Sequence, residues 1–208
     1  MSEGNGALRA VNEAALMRLF GSTDDNTLTF EIGSLAEANF LLSRHHYLGP
    51  IHKARLVVVG LVGTRVVTAQ VWNAPTARHL PLDGTWLELS RWCLIPEAGE
   101  NAGSRGHRAS VRLIRDHLPS VTTLVSYSDP GHGHSGALYR ACNWVWAPTL
   151  HRLKPPPSGN GDWGTGIQHV KDRWLFQVKR DAAVAQLIAS CKAEATRRGV
   201  FQVGGNCG

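Results

Sequence analysis

The sequence predicts a mixed α/β domain in which a sheet is flanked by helices. Apolar and β-branched runs at 27–32, 54–61, 66–72, 86–94, 124–128 and 173–179 have strand length and end in glycine, proline or polar clusters. Segments at 35–45, 107–118 and 181–198 instead repeat apolar residues at helical spacing. The two kinds of element interleave along the chain, the pattern of α/β and α+β proteins.

Taken in order, residues 27–32 alternate as a first strand, and Ser34 caps a helix whose Leu35, Ala38, Leu41 and Leu42 share one face. That helix must stop by Gly49-Pro50. The runs 54–61 and 66–72 are separated by Val62-Gly63-Thr64-Arg65, which predicts an antiparallel hairpin. A strand at 86–94 ends at Ile95-Pro96, and a polar glycine-containing loop at 99–106 leads into a helix from about 107 to 118. The strand 124–128 breaks at Asp129-Pro130, turns through Gly131, Gly133 and Gly136, and resumes as a short helix at 138–142. Residues 154–164, rich in proline and glycine, read as an exposed loop; a strand at 173–179 and a helix at 181–198 close the domain.

A chain of 208 residues is long enough for one buried core. We read an N-terminal arm at 1–26, a single domain at 27–200 and a C-terminal tail at 201–208. Lys and Arg number 22 against 16 Asp and Glu, a formal charge of +6, which suits a polyanionic partner. Cys93, Cys142, Cys191 and Cys207 form no C-x-x-C pair, so they read as reduced thiols rather than a zinc site or disulfide framework. No apolar run reaches a membrane span, and the first residues lack the pattern of a signal peptide, so the expectation is a cytoplasmic protein without a membrane partner.

The strand break at Asp129 gathers a carboxylate, His132, His134 and, ten residues on, the phenol of Tyr139 around one strand end, where catalytic groups commonly sit. His46 and Tyr47 lie at the end of the first helix. Each residue also has a plainer explanation. A histidine at a helix C-terminus meets the dipole favourably, Asp before Pro initiates turns, and Tyr139 could be a core aromatic. His132 and His134 could simply line the loop. Glu88 and Arg91 could be catalytic or an internal ion pair. The tryptophans belong mostly to the core, except that Trp163 lies in a polar loop where it could stack on a base.

The order of elements resembles the Gcn5-related acetyltransferase fold, which implies a mixed sheet whose central strands splay apart to admit coenzyme A. The resemblance makes acetyl-CoA the expected donor, with Ser90 and the loop residues Asn101, Gly103, Ser104, Arg105 and Gly106 as its ligands. Free N–H groups at a helix N-terminus suit a pyrophosphate. The loop nevertheless departs from that fold's usual Gln/Arg-x-x-Gly-x-Gly/Ala pattern.

More specifically, His45-His46-Tyr47, Leu87-Glu88-Leu89-Ser90-Arg91-Trp92-Cys93-Leu94 and the 126–144 block resemble the phage Mom family of DNA-modification proteins, over roughly residues 30–180. That family modifies adenine in duplex DNA to a carbamoylmethyl-type derivative and so protects phage DNA from restriction. The resemblance implies catalytic roles for His46, Tyr47, Asp129 and Tyr139. The same four side chains offer nitrogen and oxygen ligands for a metal such as iron. A carbamoylmethyl product has a carbon–nitrogen bond to a methylene, which goes beyond ordinary acetylation and motivates a redox metal. Double-stranded DNA is the implied partner, met by Arg105, Arg108, Arg152, Lys154 and Trp163, in the cytoplasm of a phage-infected or prophage-carrying cell; a homodimer is left open. The alternatives are an acyl-CoA N-acyltransferase acting on a small amine or protein, and a DNA-binding protein without chemistry.

Overall fold

The computed structural model describes Arg18 and residues 27–148 and 171–200. The N-terminal arm, the loop bearing Arg152, Lys154 and Trp163, and the C-terminal tail lie outside the described residues. The chain divides into two compact units, residues 1–124 and 125–208.

In the first unit, β1 (Leu28–Ile32), β2 (Leu56–Val62), β3 (Arg65–Asn73) and β4 (Trp86–Leu94) form consecutive antiparallel pairs. The hairpin predicted from the glycine gap is present, with Leu61 opposite Val66 and Gly63 at a left-handed φ of 58°. Every residue of β2 is buried, because helices and neighbouring strands leave neither face to water. Helix α1 (Leu35–His45) starts at a reciprocal capping box. The Glu37 backbone N–H donates to Ser34 Oγ at 3.2 Å, and the Ser34 backbone N–H donates to Glu37 Oε2 at 2.7 Å. Its apolar face, Ala38, Leu41 and Leu42, packs on β3 and joins Val57, Val59, Val67, Ala69 and Val71 in the core.

Helix α2 (Ala102–His117) begins five residues before the expected 107. The sequence hides this start because the helix opens on Asn101 in the left-handed conformation, φ 58°, with no side-chain cap, and carries Gly103 and Gly106 in its first turns. Gly106 is a packing residue. A Cβ there would stand 2.8 Å from Gln70 Nε2 and 3.0 Å from the Phe30 ring. Gly103, Gly106, His107, Ser110, Val111 and Ile114 form its buried face.

The second unit contains β5 (Thr123–Ser128), which starts at its boundary, β6 (Val145–Ala147) and β7 (Asp172–Gln177). β7 lies between β5 and β6 and pairs antiparallel with β6, placing Trp146 opposite Trp174. The three-residue β6 was not expected, since so short a run carries no readable period. A single 3-10 turn (Pro130–His132) follows β5, and then α3 (Ala137–Ala141), close to the predicted short helix. The last helix, α4 (Ala182–Arg197), is capped by Asp181, whose Oδ1 accepts from the Val184 N–H at 3.0 Å, and packs on β6 and β7. No helix among the described residues is long and apolar enough to cross a membrane.

Candidate functional site

The strand end in the second unit is built around a buried carboxylate. Asp129, 4% exposed, caps the turn that follows it: its Oδ1 accepts from the Gly131 N–H at 3.1 Å. Its Oδ2 lies 3.1 Å from His132 Nδ1 and 3.9 Å from Lys171 Nζ. Its backbone carbonyl accepts from the N–H groups of His132 at 3.0 Å and His134 at 3.1 Å. A proline at the first position of a 3-10 turn brings residues i and i+3 onto one side, which is why Asp129 meets His132.

Tyr139 is held from three directions. Its hydroxyl shares a 2.8 Å hydrogen bond with Ser126 Oγ, its ring stacks on Trp174 at 5.5 Å, and Trp144 meets it edge-on at 5.4 Å. Trp174 in turn donates from Nε1 to Ser128 Oγ at 2.8 Å. Ser126 and Ser128, two apart on β5, thus anchor the phenol and the indole beneath it from the same face of the strand. The ring is therefore packed among tryptophans, and the hydroxyl sits in a polar pair with Ser126.

In the first unit, His46 caps the C-terminus of α1, its N–H donating to Leu42 O and its Nδ1 accepting from the Leu48 N–H at 3.1 Å. Tyr47 is 43% exposed and its ring stacks on the His46 ring at 5.1 Å. The turn is tied to β4 through Arg91, which donates from Nε to Gly49 O at 3.3 Å and from Nη1 to Ser90 O at 2.7 Å. Burial lowers the Arg91 pKa, and the charges of Tyr47 and Glu88 work against that shift. Among the described residues Glu88 makes no ion pair with Arg91; its Oε2 accepts from the N–H and hydroxyl of Thr76. Ser90 Oγ accepts from the Asn73 amide at 3.3 Å.

The residues expected to hold a cofactor are helical rather than looped. Asn101 precedes α2, Gly103, Ser104, Arg105 and Gly106 lie within it, and Ser104 Oγ donates back to Asn101 O at 3.0 Å. The first turn contains no acidic residue and no side-chain cap, so its leading N–H groups have no acceptor inside the helix. Arg105 donates to Leu28 O at 2.7 Å, which draws this expected DNA contact toward β1, while Arg108 is exposed. Cys93, Cys142 and Cys191 are buried and in no disulfide among the described residues, and burial pushes the Cys93 thiol up to about 11.

Nothing among the described residues supports the iron reading. Among the described residues no group of three or more His, Cys, Asp or Glu side chains could hold a metal ion. Asp129 has an N–H donor on one oxygen, an imidazole on the other and an ammonium nearby, and a cation at 3.9 Å opposes a second one. This arrangement suits proton transfer and hydrogen bonding.

The model of the Mom protein family matches residues 27–156, a segment that contains His46, Tyr47, Asp129 and Tyr139. The chain belongs to the Mom protein family. Its fold is that of the acetyltransferases. A GNAT superfamily phosphinothricin acetyltransferase from Sinorhizobium meliloti, in complex with acetyl-CoA, superimposes with a TM-score of 0.54 at 16% identity over 76% of this chain and 91% of that one. An N-acetyltransferase from Staphylococcus aureus gives 0.53 at 14% identity, covering 74% and 99%. A putative acetyltransferase from Salmonella typhimurium, with its cofactor acetyl-CoA, gives 0.52 at 12% identity, covering 74% and 96%. No curated protein matches the chain. For this Mom family member the structural likeness therefore establishes a fold, and the family match establishes the lineage within it.

Proposed function

We propose that this protein is a transferase that modifies the exocyclic N6 amine of adenine in duplex DNA, giving a carbamoylmethyl-type product that protects the DNA from restriction. The observation that carries the reading is the family match over 27–156, because it spans both the His46-Tyr47 turn and the Asp129 to Tyr139 strand end. The positive formal charge of +6 fits a polyanionic substrate. Adenine's amine is inaccessible within a stacked duplex, so the base would be extruded toward these side chains. In the second unit Tyr139 would supply a hydroxyl to bond the base or donate a proton and the Asp129 cluster a proton acceptor; in the first unit Tyr47 offers a hydroxyl of its own.

Acetyl-CoA is the donor this fold favours, and the residues at the start of α2 fit it: the N–H groups of Ala102, Gly103 and Ser104 would hold its diphosphate where no carboxylate competes. When bound it supplies an activated two-carbon group.

The test is mass spectrometry of nucleosides from plasmid DNA recovered from cells expressing the protein. A heavier adenine nucleoside, absent when Asp129 is replaced by Ala, is the expected result. Unmodified nucleosides from cells containing the folded protein, with accessory phage factors supplied, would sink the reading. A second reading, N-acylation of a small amine or protein, is favoured by the named activities of the structural neighbours, acetyltransferases with acetyl-CoA bound. It predicts release of coenzyme A without DNA.

A further inference from the structure

The positive charge of this chain is unevenly spread. Residues 38–82 contain Arg44, Lys53, Arg55, Arg65 and Arg78 and no Asp or Glu, so this stretch holds five of the chain's six net positive charges. Arg65 pairs with Glu97 at 3.6 Å, whereas among the described residues Arg44, Lys53, Arg55 and Arg78 enter no ion pair, and all four are exposed. β2 starts at Leu56, β3 ends at Asn73 and β4 starts at Trp86, so the segments leading into β2 and out of β3 lie at one end of the sheet in the first unit. Residues 46–55 form neither helix nor strand, yet their backbone is clamped. Asn39 donates from Nδ2 to Ile51 O at 2.8 Å and accepts the Ile51 N–H at 2.9 Å, Asn73 Nδ2 donates to Lys53 O at 3.0 Å, and the Arg55 N–H donates to Trp72 O at 2.8 Å. Arg91 holds Gly49 O from β4, and Arg44 lies over the Phe40 ring, 3.7 Å from its centre. At the tip of this clamped turn Leu48 is 44% exposed, beside Tyr47. Irregular backbone fixed in this way presents its side chains with little further ordering to lose on binding.

We propose that duplex DNA docks on this end of the first unit, with Arg44, Lys53, Arg55 and Arg78 on its phosphates and Leu48 as an apolar wedge entering the base stack. This docking surface deepens the proposed function and rests on its reading of duplex DNA as the substrate. Charge complementarity selects the occupant. Duplex DNA carries one negative charge about every 1.7 Å of its axis, and cations without carboxylate partners are free to neutralise phosphates and release counterions. Phosphate contacts position a duplex but do not open it. Extruding an adenine leaves a gap in the stack and an unpaired thymine opposite. A leucine carried on fixed backbone can fill that gap, as apolar wedges do in proteins that kink or unstack DNA. None of these five side chains is among the DNA contacts that the sequence resemblance implies.

Two measurements on the full chain, neither needing a donor or any chemistry, test the charges and the wedge. Fluorescence anisotropy of a labelled duplex across salt concentrations gives the log–log slope of affinity. Changing Arg44, Lys53, Arg55 and Arg78 together to Gln is expected to make that slope shallower by about 3.6, from roughly 0.9 per phosphate. Each single change should remove about 0.9, which keeps the test in hand should the fourfold variant not fold. A slope that none of these changes moves, or a wild type that binds no duplex, overturns the proposal. Permanganate oxidises unstacked thymines, and the wild type bound to a plasmid fragment is expected to make thymines reactive. Leu48→Ala should lose most of that reactivity with the salt slope unchanged, and Leu48→Met should keep it. Full reactivity in Leu48→Ala, or none in the wild type, overturns the proposal. Nucleoside mass spectrometry decides the adenine reading separately: a wild type that docks and unstacks DNA through these residues but leaves adenine unmodified refutes that reading and leaves the docking surface standing.

Discussion

Two segments of this chain use the same backbone device to different ends. β4 leads through a 3-10 turn (Pro96–Ala98) and left-handed Asn101 into α2; β5 leads through a 3-10 turn (Pro130–His132) and left-handed Gly136 into α3. The first turn has no side-chain cap, and it feeds a 16-residue helix whose opening N–H groups are unopposed by acid. The second is capped by Asp129 and feeds a helix of five residues. The contrast is one of backbone donors: the long helix opens with its leading N–H groups uncapped by any side chain, whereas the turn before the short helix has a donor satisfied by Asp129.

The glycines break this comparison most strongly. At Gly136, φ 75°, a Cβ would stand 2.1 Å from the Trp174 ring, so Gly136→Ala combines backbone strain with overpacking against a residue that is 1% exposed. A loss of about 2–5 kcal/mol in folding stability follows from the two effects together. Gly106→Ala meets the amide end of Gln70 and the Phe30 ring without a positive φ, and the gain in helix propensity of about 1 kcal/mol offsets the movement required. Its net cost should stay within about 1 kcal/mol. Chemical denaturation of both variants checks this, and equal losses would remove the distinction between a strained junction and a close-packed helix.

Acid sharpens the contrast next. The first segment buries an imidazole, His107, whose pKa burial lowers from 6.5 to about 4; the second carries only exposed ones, His132 and His134. Because the unfolded chain binds the proton more readily, the neutral buried ring contributes its full stability above about pH 6.5. That contribution is lost as pH falls toward 4, by up to about 3 kcal/mol. Denaturation midpoints measured across pH 4–7 should therefore fall more steeply for the wild type than for His107→Leu. Parallel curves would mean that His107 does not govern acid stability.

Much of the frame was legible in the sequence because its signals are local. Ser34 reads as a helix cap, and the runs 54–61 and 66–72 read as the two strands of a hairpin. What escaped depends on tertiary context. Gly103 and Gly106 read as loop, and the close approach of Gly106 to Gln70 and Phe30 is invisible until the sheet exists. β6 escaped because its partner Leu175 lies thirty residues beyond Val145. In the site, Asp129 and Tyr139 were visible through their spacing, but the Ser126 and Ser128 anchors were not, since their partners Tyr139 and Trp174 are distant along the chain.

The smallest expected effect on stability separates structure from chemistry within the second segment. Tyr139→Phe keeps the stack on Trp174 and the edge contact with Trp144 but removes the 2.8 Å bond to Ser126 Oγ. The loss of one such hydrogen bond costs about 1 kcal/mol, which leaves the protein folded at room temperature. Ser126→Ala deletes the same bond from the other side and leaves the phenol hydroxyl in place. Both variants should therefore show similar small shifts in denaturation midpoint. If the hydroxyl bonds the base or donates a proton, modification should drop at least about tenfold in Tyr139→Phe and much less in Ser126→Ala. Equal activity in the two variants would assign Tyr139 to the aromatic stack alone.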